Sequence, residues 1–336
     1  MLDTTEIVKA CFAGLLRRDP TEAEFDYVAG HLSAGTPLAT ILRHLSETPE
    51  FLTLTATAEF VAPGHFYSAI PSMKAREEFV RDWRRLRARA ELPGITLDEP
   101  AMEAHFSRIV DAARERPFPI EKTEPWRYFF DNPAYAFGDG LSLYAMMLHL
   151  RPKRIIEVGS GYTSALMLDT DQYHFDGSIE FTFIEPYPDL LLSLMREDDR
   201  ARCTLRSQSV QDIDASVFLA LEANDILFID STHVAKLGSD VNYLLLEILP
   251  RLNAGVCVHM HDIFWPFEYP AHWIEQGRAW NEVYLLRALL QHNSRLKIMY
   301  FSDYVHRRQR ERIARDAPLL GRDTGAHIWL RVRDEA

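Results

Sequence analysis

Ten residues, Arg154-Ile155-Ile156-Glu157-Val158-Gly159-Ser160-Gly161-Tyr162-Thr163, constrain this chain more than any others. A β-branched run ends in an acid and two glycines one residue apart, then opens into Ser164-Ala165-Leu166-Met167-Leu168. That order predicts a buried strand, a tight turn and a helix whose N-terminal amides face a ligand. Glycine belongs in such a turn because a side chain would keep the ligand off the backbone. Phe181-Thr182-Phe183-Ile184-Glu185 reads as a second strand ending in a carboxylate. A carboxylate on a neighbouring strand end is placed to accept hydrogen bonds from ribose hydroxyls.

Two cofactor classes use that layout. A dinucleotide fingerprint needs G-x-G-x-x-G, and its third glycine position here is Ser164. Glu157, two residues before Gly159, suits a ligand that carries a positive amino group. The segment resembles motif I of the class I methyltransferases, which use S-adenosylmethionine, although that family's third glycine falls at Thr163. The resemblance implies that Gly159 and Gly161 meet the methionine part of the cofactor, and that Glu157 serves its amino group. It further implies that Glu185 takes the ribose hydroxyls, and that Gln211-Asp212, with Asp212 foremost, lies at the adenine.

Composition is that of a soluble globular protein. The chain has 336 residues, 47% hydrophobic and 26% charged, enough for one large and one small domain. A net charge of −12 argues against nucleic acid as the main partner, since phosphate binding wants a basic surface. The basic run from Lys74 to Arg89 is interrupted by Glu77, Glu78 and Asp82 and reads as a solvated helix face. Cys11, Cys203 and Cys257 show no paired spacing, which fits a reducing compartment. The N-terminus has no basic start and no apolar h-region, and no apolar run has membrane-spanning length. A cytoplasmic protein without membrane contact is expected, with self-association left open.

The pattern divides the chain into residues 1–55, 56–117 and 118–336. Ile7, Val8, Cys11, Phe12, Leu15 and Leu16 share one helical stripe, Thr21 to Glu24 is a capping box, and Leu38, Ile41, Leu42 and Leu45 mark a third helix. With its ending Glu47-Thr48-Pro49-Glu50-Phe51, this region resembles a bacterial helical module of undefined function that often accompanies glycosyltransferases and cell-surface proteins. The middle stretch predicts two helices, near 72–91 and 99–114, separated by Pro93-Gly94. An aromatic-rich segment, 125–150, precedes the first strand. From Arg154 onward strands are expected near 154–158, 180–185, 202–206, 225–230, 255–261, 296–301 and 326–332. Their alternation with helices predicts an α/β, doubly wound, Rossmann-like sheet of seven strands. The resemblance adds an antiparallel final strand.

Ligands of such sheets bind beyond the carboxyl ends of the strands. The fourth strand runs into Asp230-Ser231-Thr232-His233, and the fifth into His259-Met260-His261-Asp262. Asp230 and Asp262 on adjacent strand ends repel unless a cation or a proton intervenes. This pair resembles the divalent-metal site of small-molecule O-methyltransferases of the macrocin type. The resemblance implies Asp230 and Asp262 as ligands of Mg2+, and His233, three residues past Asp230, as general base. The second acidic residue of that type is replaced by His261, which leaves open a metal-free site where His233 and His261 share the base work. Histidine suits the task because its ordinary pKa is about 6.5. His259 reads as a core histidine, and the Cys257, His259, His261 alternation is a weak zinc signal. The aromatic loop from Phe264 to Tyr269, with Trp273 and Trp280, suits stacking on a sugar or ring.

The resulting expectation is methyl transfer from S-adenosylmethionine to a hydroxyl of a small molecule or glycan, with Asp230, His233 and His261 catalytic. Three other classes compete: an NAD-dependent oxidoreductase, which Ser164 disfavours; a non-catalytic glycan-assembly protein; and a metal-dependent hydrolase, which leaves Glu157 and Glu185 without a role.

Overall fold

The computed structural model describes residues 3–51, 60–89 and 91–334. The chain forms two compact units, Met1–Met73 and Lys74–Ala336. Residues 52–55 of the expected helical module and 56–59 of the expected connector fall outside the described residues.

The first unit holds the helices Thr4–Leu16, Glu22–Ser33 and Leu38–Ser46. The capping box read at Thr21 is present: its hydroxyl accepts from Glu24 N while the Glu24 carboxylate accepts from Thr21 N. Asp3 and Glu6 form a second box. Val8, Phe12, Leu16, Val28, Ile41 and Leu45 make a small core. Arg18 forks between Glu24 and Glu50 at 2.7 and 2.6 Å, tying the second helix to the segment after the third.

The second unit is a seven-stranded sheet: β1 (Arg154–Val158), β2 (Glu180–Ile184), β3 (Thr204–Arg206), β4 (Ile226–Ile229), β5 (Cys257–His261), β6 (Leu296–Phe301) and β7 (His327–Val332). Its order is β3-β2-β1-β4-β5-β7-β6. Strands β1 to β5 pair in parallel, whereas β7 runs antiparallel to both β5 and β6. The sheet is therefore mixed. The near-continuous burial of β1, β4 and β5 follows from helices on both faces. The order reverses between β1 and β4, which opens a crevice at their carboxyl ends.

The stretch expected as a connector contributes the helices Met73–Arg87 and Glu99–Glu115, and from Lys74 it belongs to the second unit. Most of its basic residues face solvent. Arg87 is the exception, buried against Asp303 at 2.7 Å. The aromatic segment before β1 packs inward, with Tyr128, Phe130 and Tyr135 in the core. Arg127 anchors it by ion pairs to Asp169 (2.5 Å) and Asp199 (2.7 Å). It leads into the helix Phe137–Leu150. Among the described residues no helix is long and apolar enough to cross a membrane.

Candidate active site

The turn after β1 is fixed by close approach. Gly159 has φ +81, and a Cβ there would collide with the backbone oxygen of Asp230 at the end of β4. Asp230 N donates to Val158 O (2.9 Å) and Gly159 N to Ile184 O (3.1 Å), so three strand ends meet at this glycine. Gly161 is extended, with φ 167, and precedes the helix Tyr162–His174.

Glu157 is fully buried. Its carboxyl accepts from the hydroxyls of Thr163 and, at 2.5 Å, Ser164. Burial outweighs those bonds and pushes its pKa up to about 8. It braces the turn through these two hydroxyls and is not among the residues that line the cavity beside Gly159.

A cavity of about 440 Å³ lies at the carboxyl ends of β1, β2 and β4. Gly159, Glu185, Gln211, Asp230, Thr232 and Lys236 are among its walls. Glu185 accepts from Ser160 N (3.1 Å) and Tyr187 N (2.9 Å), one bond to each oxygen, which leaves lone pairs on both oxygens. Gln211 reaches across to Gly238 O at 2.8 Å. Asp240 closes the far rim by accepting from Thr232 N (2.8 Å) and Thr232 Oγ1 (2.7 Å). Gly161 and Asp212 lie outside the cavity wall, and Asp212 is exposed.

Beyond Asp230 the structure gathers the other predicted residues. His233 Nε2 stands 3.3 Å from Asp230 Oδ1 and 3.7 Å from Asp262 Oδ2. His261 Nδ1 stands 3.5 Å from Asp230 Oδ1 and 3.6 Å from Asp262 Oδ1. Each imidazole has a further carboxylate behind it. His233 Nδ1 meets Glu282 Oε2 at 2.9 Å, and His261 Nε2 lies 3.4 Å from Asp139 Oδ2. The His261 contacts are longer than normal hydrogen bonds, and both its ring nitrogens lack a hydrogen-bond partner, so they are ion-pair contacts.

Burial pulls the His233 pKa down, but its bonds to Asp230 and Glu282 outweigh this and hold it at about 10. His261 is likewise raised well above its ordinary value: Asp262, Asp230 and Asp139 overcome its burial. Asp230 is held far below the carboxylate range because the two histidines outweigh its burial. The ordinary histidine value of about 6.5 does not apply to His233.

These findings lend the metal reading no support. Asp230 and Asp262 are compensated by two imidazoles interleaved with them. Nitrogen donors in half of the set do not fit Mg2+, which takes oxygen ligands. Among the described residues no group of three or more His, Cys, Asp or Glu side chains is arranged to hold a metal ion. Nor do Cys257, His259 and His261 converge. His259 stacks on Phe228 (4.2 Å between ring centres) and packs on Trp329, and burial keeps it neutral.

The loop conformations serve this cluster. His233 and Asp262 both have positive φ, 60 and 57, although neither is glycine. Such conformations cost about 1–2 kcal/mol each and persist where surrounding contacts over-determine them. At His233 the contacts are visible. Its carbonyl accepts from Asn281 N (3.1 Å) and Glu282 N (3.2 Å), capping the helix Glu282–Leu290. The backbone does the capping, which leaves the imidazole free for Glu282 and Asp230. Trp280 packs on the ring of His233 at 4.4 Å. Within the aromatic loop, Trp265, Phe267 and Tyr269 are core residues, and only Phe264, Trp273 and Trp280 stay partly exposed.

The seven-stranded order, with its antiparallel β7 and a crevice at Gly159, is a doubly wound, Rossmann-like sheet. Residues 156–263, from β1 to just beyond the end of β5, match the family model of a methyltransferase domain. The chain belongs to the same family as an uncharacterised protein of Archaeoglobus fulgidus, 35% identical over 167 residues, or 49% of this chain and 75% of that protein. Solved structures show a looser likeness. The O-methyltransferase TomG from Streptomyces achromogenes, in complex with SAM, is 14% identical, with 71% of this chain and 92% of that one covered at a TM-score of 0.39. A putative O-methyltransferase from Klebsiella pneumoniae is also 14% identical, covering 77% and 99% at 0.37.

Proposed function

We propose that the second unit moves the methyl group of S-adenosylmethionine to a hydroxyl of a small molecule or glycan. The observation that carries the proposal is the chain Glu282–His233–Asp230, which ends on the cavity wall. Glu282 claims the Nδ1 proton of His233, so Nε2 is the nitrogen that can take a proton, and it faces Asp230. Glu185 offers free lone pairs to ribose hydroxyls, and Gly159 lets the cofactor approach the backbone. Gln211 and Lys236 line the same cavity.

In the reaction the acceptor oxygen attacks the methyl carbon and the carbon–sulfur bond breaks. S-adenosylhomocysteine leaves as a neutral thioether, and the hydroxyl proton passes to the Asp230–His233 pair. Nε2 of His233 is free of its proton in a fraction of molecules that grows as pH approaches about 10. The positive sulfonium, once bound, disfavours the imidazolium and enlarges that fraction. His261, held against the same two carboxylates, shares the charge. Trp273 and Trp280 supply the partly exposed rings on which a sugar acceptor would rest.

The dinucleotide alternative is disfavoured by Ser164, whose hydroxyl donates to Glu157 and receives Gly161 N at 3.1 Å. The test is transfer of labelled methyl from S-adenosylmethionine to a panel of sugars, phenols and alcohols. Labelled product with wild type, lost with His233→Ala, supports the reading. Label appearing only on amines or carboxylates would overturn the hydroxyl assignment.

A further inference from the structure

The matched methyltransferase stretch, 156–263, does not hold every group that touches the His–carboxylate cluster. Asp139 lies seventeen residues before it, in the first turn of the helix Phe137–Leu150, and is 8% exposed. An acid in so apolar a helix is costly to bury unless it is paired. Its pairing divides the carboxylate in two. Oδ1 accepts from Ala326 N (3.1 Å) and meets His327 Nδ1 at 2.6 Å. Oδ2 is left to face His261 Nε2 at 3.4 Å.

The first half of that arrangement is rigid. His327 begins β7, its Nε2 meets Ser142 Oγ at 2.7 Å, and its backbone N donates to Ser302 Oγ at 2.8 Å. Gly325, with φ +66, leaves room for Asp139: a Cβ there would run into its carboxylate. Gly138 is equally constrained, since a Cβ would strike the backbone at Thr324, and Gly138 N donates to Asp323 O at 2.8 Å. The 323–327 segment and the helix are thus locked together, and the lock sets where Oδ2 points.

We propose that Asp139 is a positioning residue of the methyl-transfer site. It holds His261 so that Nδ1 faces Asp230 and Asp262, as Glu282 does for His233. The site is then two carboxylate-backed imidazoles meeting on one carboxylate pair. The role in catalysis rests on the methyl-transfer reading, but the placement does not. Groups facing His261 come from every packed element: Asp139 from the helix, Tyr135 before it, Asp230 after β4, Asp262 after β5, and His259 beside it on β5.

The test uses the full chain with 15N-labelled histidine, the ring signals of His261 being assigned with His261→Gln. In wild type at neutral pH the two ring nitrogens should show the paired signature of an imidazolium. Asp139→Asn keeps the shape and removes the charge. It should shift the Nε2 signal of His261 and leave S-adenosylmethionine binding unchanged by calorimetry. Ser142→Ala, one step further out, should move the His327 signal more than that of His261. An unaltered His261 spectrum in folded Asp139→Asn would overturn the proposal. Should that variant fail to fold, a wild-type His261 without an Nε2 proton would overturn it equally well. Absence of S-adenosylmethionine binding with the expected His261 shift would sink the methyl-transfer reading alone.

Discussion

Glu282 Oε2 and His233 Nδ1 meet at 2.9 Å, both buried, although forty-nine residues separate them. The same carboxylate takes the Ser231 hydroxyl at 3.0 Å through its other oxygen. One residue of the helix Glu282–Leu290 therefore fixes both the tautomer and the orientation of the histidine proposed as base. Glu282→Gln should lower the His233 pKa by about one to two units, the scale of a hydrogen bond to a charged group. Histidine NMR measures this directly, and an unmoved His233 titration would remove Glu282 from the account.

A base whose free-enzyme pKa is near 10 has a kinetic signature. The active form has lost the proton, so kcat/KM should climb as pH rises from 7 toward about 10. The limb in kcat should fall lower, because bound sulfonium disfavours the imidazolium. His233→Ala should cost about 10²–10⁴-fold in kcat with cofactor affinity intact. Since the carbonyl, not the ring, caps the following helix, the variant should remain folded. A kcat/KM limb at or below about 6.5 would show that the Asp230 and Glu282 contacts do not hold in solution.

Glu157 predicts a stability effect. Its folded pKa, about 8, lies above its ordinary value of 4.5 because it is buried. The unfolded chain ionises first, so this group favours folding below pH 4.5, and that contribution drains away as pH rises toward 8. Glu157→Gln should therefore raise the melting temperature at pH 8 and flatten its decline across this window. A melting temperature lowered at pH 8 would mean that the ionised carboxylate is stabilised by the Thr163 and Ser164 hydroxyls.

Much of this was legible in the sequence because each signal was local. The β1 turn carries two glycines within three residues, and the seven apolar runs carry their own boundaries. Asp230, His233, His261 and Asp262 follow directly on strand ends, so the topology of a doubly wound sheet brings them together. Glu282 stood in the aromatic stretch without a role, because nothing local says that residue 282 returns to residue 233. Asp139 gave one faint signal, an acid between two glycines in an apolar helix. The metal reading gained no support because charge compensation is a sum over the whole cluster. Sequence displays the two carboxylates side by side but not the two imidazoles between them.

That sum makes a further prediction. With His233 and His261 supplying the positive charge, turnover should persist in excess chelator and show no rise on adding Mg2+. Loss of activity in chelator, restored by a divalent ion, would return Asp230 and Asp262 to the role of ligands.

The central claim is that the cavity bounded by Gly159, Glu185 and Asp230 holds S-adenosylmethionine, and calorimetry tests it most directly. Wild type should bind S-adenosylmethionine one to one and give no heat with NAD. Glu185→Ala should weaken binding by about 1.5–3 kcal/mol, or roughly 10–150-fold, as two ribose hydroxyls lose a charged acceptor. No binding by wild type, or wild-type affinity in Glu185→Ala, would contradict the assignment of this cavity to the cofactor.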